Sequence, residues 1–498
     1  MSYSGKPALF PGPLVRLILL LFLVSIFTSV VPASAAEIKP KRLVLENGIT
    51  LLILERPSLP IVSVEALIRA GSLYDPNDKA GLANLTASLL DEGTKKRSAT
   101  QIADAVDFIG ANLAASASED YMTASLRVIK KEVDTGFDLL SDILINPAFD
   151  PKEVERVRKN ILGSILSEKD QPQTIADRAF RSIIFGEHPY QHPVIGREET
   201  VPVITREEIA AFHQTYYAPN NLILSIVGDV TEREAVALAK KYFGKWERKQ
   251  IIFPRIGPPS PVQARKMELI DKELSQASVI LGHVGIERGN PDYYAVTVMN
   301  YILGGGGFSS RMMTDIRDNK GLVYSIYSLF DANRFPGEFA VNLQTKSKSA
   351  NEAIEGVLTE IQKIRSAPVT ETELAEAKAY LVGSFPLRME TTARLASLLS
   401  AIEYYQLGLD YFEKYPSYIK KVTQDDILRV AKRYLDPEHY ALVVVAKQSE
   451  ANVKEPPAPP PVESGAGAMK NAPEPEGGIR TSDPPLINLP VSKEGAAR

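Results

Sequence analysis

Apolar residues along this chain alternate in some stretches and recur every three to four positions in others, and the switches between the two rhythms mark out its elements. Near the start, Arg42-Leu43-Val44-Leu45-Glu46 and Ile49-Thr50-Leu51-Leu52-Ile53-Leu54 read as strands on either side of Asn47-Gly48. That dipeptide predicts a two-residue hairpin turn in which both residues take positive φ. Ile61 to Ala70 is a third strand. Helical spacing then dominates from Leu82 to Leu90, from Ala99 to Ile109 and from Lys131 to Ile145. Strands that cluster ahead of helices, without strict alternation, predict an α+β sandwich: a largely antiparallel sheet with helices on one face.

The pattern then starts again. Thr205-Arg206-Glu207-Glu208-Ile209 matches Thr423-Gln424-Asp425-Asp426-Ile427, Tyr216 matches Tyr434, Pro219 matches Pro437, and Leu224 and Val227 match Leu442 and Val445, each pair 218 residues apart. In both copies the Thr, with an acidic residue three positions on, caps a helix that runs to the Tyr before a Pro-containing turn. The apolar runs that follow, Leu222 to Val227 and Tyr440 to Val445, are buried strands. Upstream, Glu153-Val154 through Leu162-Gly163-Ser164 matches Glu373-Leu374 through Val382-Gly383-Ser384 at a separation of 220. One unit has been duplicated. Pro254, Pro258, Pro259 and Pro261 lie between the copies and mark a linker.

A length of 498 residues fits two such units with tails. The boundaries are a signal peptide over 1–35, a first domain over 36–250, a linker over 251–264, a second domain over 265–448 and a disordered proline-rich tail over 449–498. The signal reading rests on Lys6 and Arg16, the apolar run Leu17 to Val31, and Ala33-Ser34-Ala35 before Ala36. It predicts export to the periplasm with loss of the segment, so no membrane span should remain. The tail reading rests on ten of the 35 prolines falling between Glu455 and Arg498. A net charge of -4 with no basic stripe excludes nucleic acid as a partner, and the absence of Cys excludes disulfides, a thiolate ligand and a thiol nucleophile.

Gly81-Leu82-Ala83-Asn84-Leu85-Thr86-Ala87-Ser88-Leu89-Leu90-Asp91-Glu92-Gly93-Thr94, following Arg69-Ala70-Gly71-Ser72, together with Asn112, His188-Pro189-Tyr190 and Gly228-Asp229, resembles the pitrilysin, insulinase and mitochondrial-processing-peptidase family of zinc peptidases. The match runs from the first hairpin to Val445. The resemblance implies two homologous processing-peptidase-like domains arranged as a clam. Active members carry H-x-x-E-H on a helix: two His four apart face one metal, and the Glu takes a proton from the metal-bound water. Here Asn84 and Ser88 stand at the ligand positions and Ala87 at the base. The third ligand, a Glu just before an Ile, is replaced by Ser164, with Ile165 next. Amide and hydroxyl groups are poor zinc ligands, so this chain should hold no metal there. None of the five His repairs the loss. His188 and His192 are separated by a helix-breaking Pro189, and His213, His283 and His439 have no acidic partner at ligand spacing.

The second half keeps Arg317-Asp318-Asn319-Lys320-Gly321-Leu322-Val323-Tyr324, after Gly304-Gly305-Gly306-Gly307-Phe308. Arg317 and Tyr324 match the family's Arg/Tyr pair, which the resemblance implies reaches substrate at the zinc of another half. Gly321 ends the Arg317 helix and Tyr324 opens a strand, so the two converge near a turn. Alternation along that strand places Tyr327 on the opposite face from Tyr324. The four glycines permit close backbone packing or a hinge, and the resemblance implies that they and Asn112 bind substrate. The implied function is that of a zinc-free subunit of a heteromeric metallopeptidase. It would bind no cofactor itself and would be active only beside a homologous partner with an intact H-x-x-E-H and its zinc, acting on a peptide that adds to a sheet edge near Asn112 to Asp120. The other reading is a non-catalytic peptide-binding or scaffold protein of the same fold.

Overall fold

The first hairpin forms with a different turn. Strands β1 (Lys41–Val44) and β2 (Thr50–Glu55) pair antiparallel, Val44 opposite Thr50. The Leu45 N–H donates to Ile49 O and the Gly48 N–H to Leu45 O, so the loop has three residues, Glu46 to Gly48. Gly48 alone takes positive φ, at 91°. Asn47 is spared because its side-chain amide donates to Phe243 O and Trp246 O, at 2.8 and 3.3 Å, which ties the turn to a helix end.

A computed structural model describes residues 38–456; the expected signal segment and the tail beyond Pro456 lie outside them. The ordered chain continues past 449, with a helical turn over Gln448–Ala451. Strands β3 (Ile61–Ile68), β4 (Asn112–Ala117), β5 (Met122–Ile129) and β6 (Leu222–Gly228) complete a six-stranded sheet in the order β1-β2-β6-β3-β5-β4. Strands β7 (Lys266–Asp271), β8 (Gln276–Val284), β9 (Val323–Ala332), β10 (Pro336–Lys346) and β11 (Ala441–Ala446) form a five-stranded sheet in the order β7-β11-β8-β10-β9. The second order repeats the first without β1. In each sheet one pair is parallel, β2 with β6 and β7 with β11, and the others are antiparallel. The repeated Thr residues cap as expected. Thr205 and Thr423 each accept from the N–H three residues on, and Glu208 and Asp426 return the bond. The helices that follow, Arg206–Tyr216 and Gln424–Tyr434, lead into β6 and β11.

Each sheet carries its own half's helices on one face, and part of its other face is covered by a helix from the opposite half. Pro172–Phe185, in the first half, lies on β8 and β11, and Thr392–Tyr404, in the second, lies on β3 and β6. Ala176, Phe180 and Ile184, four residues apart, form the buried stripe of the first of these helices and join Ile280, Ala441 and Val443 in one core. Burying a Phe or Ile so fully is worth about 1.5–3 kcal/mol each. Among the described residues, the chain from Pro40 onward is consequently one compact unit. The linker also packs: Phe253 stacks on Tyr216 at 5.8 Å.

Polar groups set the register of both crossings. At one, Ser63 Oγ meets Thr392 Oγ1 and Ser225 Oγ meets Ser400 Oγ, each at 2.8 Å, while Glu65 accepts from Ser397. At the other, Gln173 Nε2 donates to Asn342 Oδ1 at 2.7 Å. Arg181, largely buried, donates to Glu338 and Glu119, both at 3.1 Å, and to Tyr190 O at 2.9 Å. The loop between β9 and β10 is anchored in the first half: Asp120 accepts from Tyr190 Oη at 2.5 Å and from the Arg334 N–H at 2.9 Å.

Two predictions follow from these buried charges. Burial pushes Glu65 up from 4.5 for a free side chain to about 7, so the folded state holds a proton that the unfolded chain releases. Its stabilising contribution is complete below pH 4.5 and is lost as pH rises through 7, on the order of 3 kcal/mol for this shift. Glu65→Gln should therefore raise the unfolding midpoint at about pH 8 and flatten the fall in Tm between about pH 5 and 8; a steeper fall in the variant contradicts the assignment. Arg181→Met should cost about 3–5 kcal/mol in denaturant unfolding, because Glu338 and Glu119 are left without their counter-ion. Adding Glu338→Gln should recover part of the loss in a double-mutant cycle.

Candidate functional site

The helix at the degenerate motif, Leu82–Ala87, starts at Gly81 with φ 99°. Asp75, fully buried, accepts from the Gly81 and Ala83 N–H groups, both at 2.8 Å. Burial pushes its carboxyl up to about 8 in spite of these donors. A Cβ on Gly81 would come within 2.8 Å of Gly196 Cα, so the helix start is pressed against the 195–201 loop and only glycine fits. Asn84 and Ser88 are half-buried, four apart on one face, and Ala87 is fully buried. Ser164 is exposed on the Pro151–Glu168 helix. These side chains present an amide, two hydroxyls and a methyl. They do not fit catalytic zinc, and Ala87 can accept no proton from a bound water. Among the described residues, no three His, Asp or Glu side chains gather in a metal-holding group.

Four of the five histidines have structural partners, His188 Nδ1 accepting from the Tyr190 N–H at 3.2 Å, whereas neither ring nitrogen of His192 is hydrogen-bonded among the described residues. His213 Nε2 lies 2.9 Å from Leu144 O, and burial lowers its pKa to about 4. His283 accepts from the Asp436 N–H at 3.0 Å and lies 2.8 Å from Val284 O through Nδ1. His439 does have an acidic neighbour, Asp436 at 2.9 Å, three residues before it, but the pair is half-exposed and isolated. His188 and His192 flank the turn Pro189–Gln191.

Arg317 lies on a π-type helical segment, Met313–Asn319, that ends at Gly321 with φ 64°. Its Nε donates to the Tyr324 carbonyl at 3.2 Å, its Nη1 to Asp318 Oδ1 at 2.9 Å, and its guanidinium lies 5.4 Å from the centre of the exposed Phe308 ring. The two residues are thus joined through the backbone of the strand. Strand β9 pairs Val323 with Thr345 and Ser325 with Gln344, so Tyr324 is the extra residue of a β-bulge. The bulge shifts the alternation and turns Tyr324 out of the core. Tyr324 and Tyr327 are both exposed, at 50% and 46%, while Val323, Ile326 and Ser328 are buried. The expected opposition of Tyr324 and Tyr327 is therefore overturned. Pattern reading missed it because a bulge is a property of the pairing with β10, not of β9 alone. The Tyr324 hydroxyl makes no hydrogen bond among the described residues.

The glycine run lies against the outer edge of β9. A Cβ on Gly304 would stand 2.7 Å from Ser328 N, and Asn300 brackets the same residue, donating to Ser328 O at 3.1 Å and accepting from Ser328 Oγ at 2.7 Å. Gly305 and Gly306 fit against Asn300 and Tyr301, and Gly307 takes φ 58°. Asn112 is exposed at the start of β4, the free edge of the first sheet, and the Leu82–Ala87 helix packs against that strand.

Comparison with known proteins gives a consistent family. The profile of Insulinase (Peptidase family M16) matches residues 51–198, and that of the Peptidase M16 inactive domain matches residues 204–381. An uncharacterized zinc protease of Mycobacterium tuberculosis is 27% identical over 412 residues, covering 82% of this chain and 94% of the relative. One of Bacillus subtilis is 26% identical over 408 residues, covering 82% and 98%. The crystal structure of a peptidase M16 inactive domain from Pseudomonas fluorescens superposes with a TM-score of 0.78 at 28% identity, over 82% of this chain and 98% of that one. A protease from Helicobacter pylori shares the fold, with a TM-score of 0.77 at 21% identity, over 82% and 100%. Two duplicated sheets, a motif helix stripped of its ligands and these matches together place the chain in the insulinase family of peptidases, as a member that lacks the zinc motif.

Proposed function

We propose that this chain is the zinc-free subunit of a heteromeric peptidase, exported to the periplasm, that lends Arg317 and Tyr324 to peptide hydrolysis at the zinc of a homologous partner. The observation that carries the reading is the bulge at Tyr324, which presents an unpartnered phenol beside a guanidinium on an exposed face. Peptide hydrolysis builds negative charge on the carbonyl oxygen, and donors already fixed in place stabilise that charge without reorganising. The Tyr324 hydroxyl and the Arg317 Nη2 group are free to donate here. A peptide strand has a place to lie on β4, which pairs with β5 alone among the described strands. A non-catalytic, peptide-binding reading is favoured by one fact: Arg317 already spends Nε on Tyr324 O and Nη1 on Asp318.

The two readings separate in a mixture of this chain with its zinc-bearing partner. Tyr324→Phe and Arg317→Ala should each lower kcat by about 10²- to 10³-fold without dissociating the complex. Arg317→Ala should also raise KM, because a guanidinium can hold the peptide before reaction. Tyr242→Phe, on the Glu232–Phe243 helix of the first half, is the control. Full activity in both variants makes the pair structural and the chain a scaffold.

The chain purified alone should contain no stoichiometric zinc and cleave no peptide. Metal analysis by mass spectrometry after dialysis checks this. About one zinc per chain, removed by a chelator together with peptidase activity, contradicts the reading.

A further inference from the structure

The second half contains its own version of the groove that the first half leaves without ligands. In the first half, the motif helix Leu82–Ala87 stands beside edge strand β4, and Ser164 projects from the Pro151–Glu168 helix. In the second half, the first helix after β8, Tyr293–Asn300, stands beside edge strand β9, and the duplicate of the Ser164 helix is Glu371–Ser384. Between these two elements lies a cavity of about 260 Å³ whose walls include Tyr293, Val296, Tyr301, Leu329 and Leu381.

One polar group in its wall is unsatisfied, and one at its rim is free of protein partners among the described residues. Tyr415, 2% exposed, lines the cavity with its ring stacked on Phe385 at 4.1 Å, and its hydroxyl has no hydrogen-bond partner. A buried phenol left unpaired costs free energy that a ligand can recover. At the rim, Arg388 is exposed, lies 5.9 Å from the centre of the Tyr415 ring, and makes no ion pair or hydrogen bond among the described residues. The rim also exposes Tyr380, its ring 4.9 Å from that of Tyr301, and Leu387. An aromatic-walled hole of about one side chain's volume, with a polar contact inside and a free guanidinium outside, matches one chemistry. That chemistry is an aromatic group with a polar tip, joined to a carboxylate a short distance away.

We propose that this cavity is a binding site for an aromatic carboxylate, either the C-terminal residue of a peptide or a free aromatic acid: the ring enters between Tyr293 and Tyr301, its polar tip pairs with Tyr415, and the carboxylate pairs with Arg388. The proposal is independent of the role given to Arg317 and Tyr324. Calorimetric titration of the full chain with N-acetyl-L-tyrosine, its primary amide and a blocked pentapeptide ending in tyrosine tests it. The carboxylate should bind saturably, and both the amide and the Arg388→Met variant should bind about tenfold more weakly or worse. Tyr415→Phe keeps the stacked ring and should remove the preference for N-acetyl-L-tyrosine over N-acetyl-L-phenylalanine. Pentapeptide binding at least as tight as that of the single residue assigns the site to peptide ends; binding of the single residue alone assigns it to free acids. No saturable binding up to about 10 mM, or equal binding of acid and amide, overturns the proposal.

Discussion

A β-sheet with two apolar faces cannot be left half covered, and in this protein neither half has enough helices of its own to close both. The solution is reciprocal: Pro172–Phe185 covers the second sheet and Thr392–Tyr404 covers the first. Much else depends on that exchange. It merges two duplicated units into one core. It leaves the edge strands exposed, β1 and β7 at one side of the sheets and β4 and β9 at the other, and the last two carry Asn112 and Tyr324. It also forces charge into the interior, because Glu65, Arg181 and Asp120 all sit where one half meets the other. Such groups add little net stability, since leaving water costs about as much as pairing returns. Their effect is to allow one register and penalise the rest.

The two sheets also treat their free edges differently. Along β9, Asn300 and Gly304 occupy the position that an incoming strand would need, so that edge is closed at Ser328. Along β4, alternate residues stay exposed and pairing is with β5 only. One duplicated element has thus become a wall and its counterpart a surface open to another backbone. The glycines matter to the wall for a steric reason: no side chain fits between that backbone and β9.

What was legible in the sequence follows from how local each signal is. The caps at Thr205 and Thr423, the strands that follow them and the duplication itself are written in contiguous residues, and they stand where the periodicity placed them. The loss of zinc ligands was legible too, because it depends on side-chain chemistry alone. Three things were not. The Asn47-Gly48 turn took a third residue because of a contact with Phe243, nearly 200 positions away. The bulge at Tyr324 exists only in the pairing with Thr345 and Gln344. The helix exchange left no mark, because the amphipathic stripe of Ala176, Phe180 and Ile184 looks the same whichever sheet receives it.

The exchanged helices carry a historical implication. A half-length ancestor, before duplication, would have folded with its Pro172–Phe185 counterpart extended over empty space and one sheet face bare to water. Such a chain persists only by lending that helix to a second copy and receiving one in return, which is a domain-swapped homodimer. In the present chain the two copies are joined through the segment around Phe253. A single chain leaves the halves free to differ, as they do at β1, which has no counterpart in the second sheet among the described residues, whereas an identical pair must accept every substitution twice.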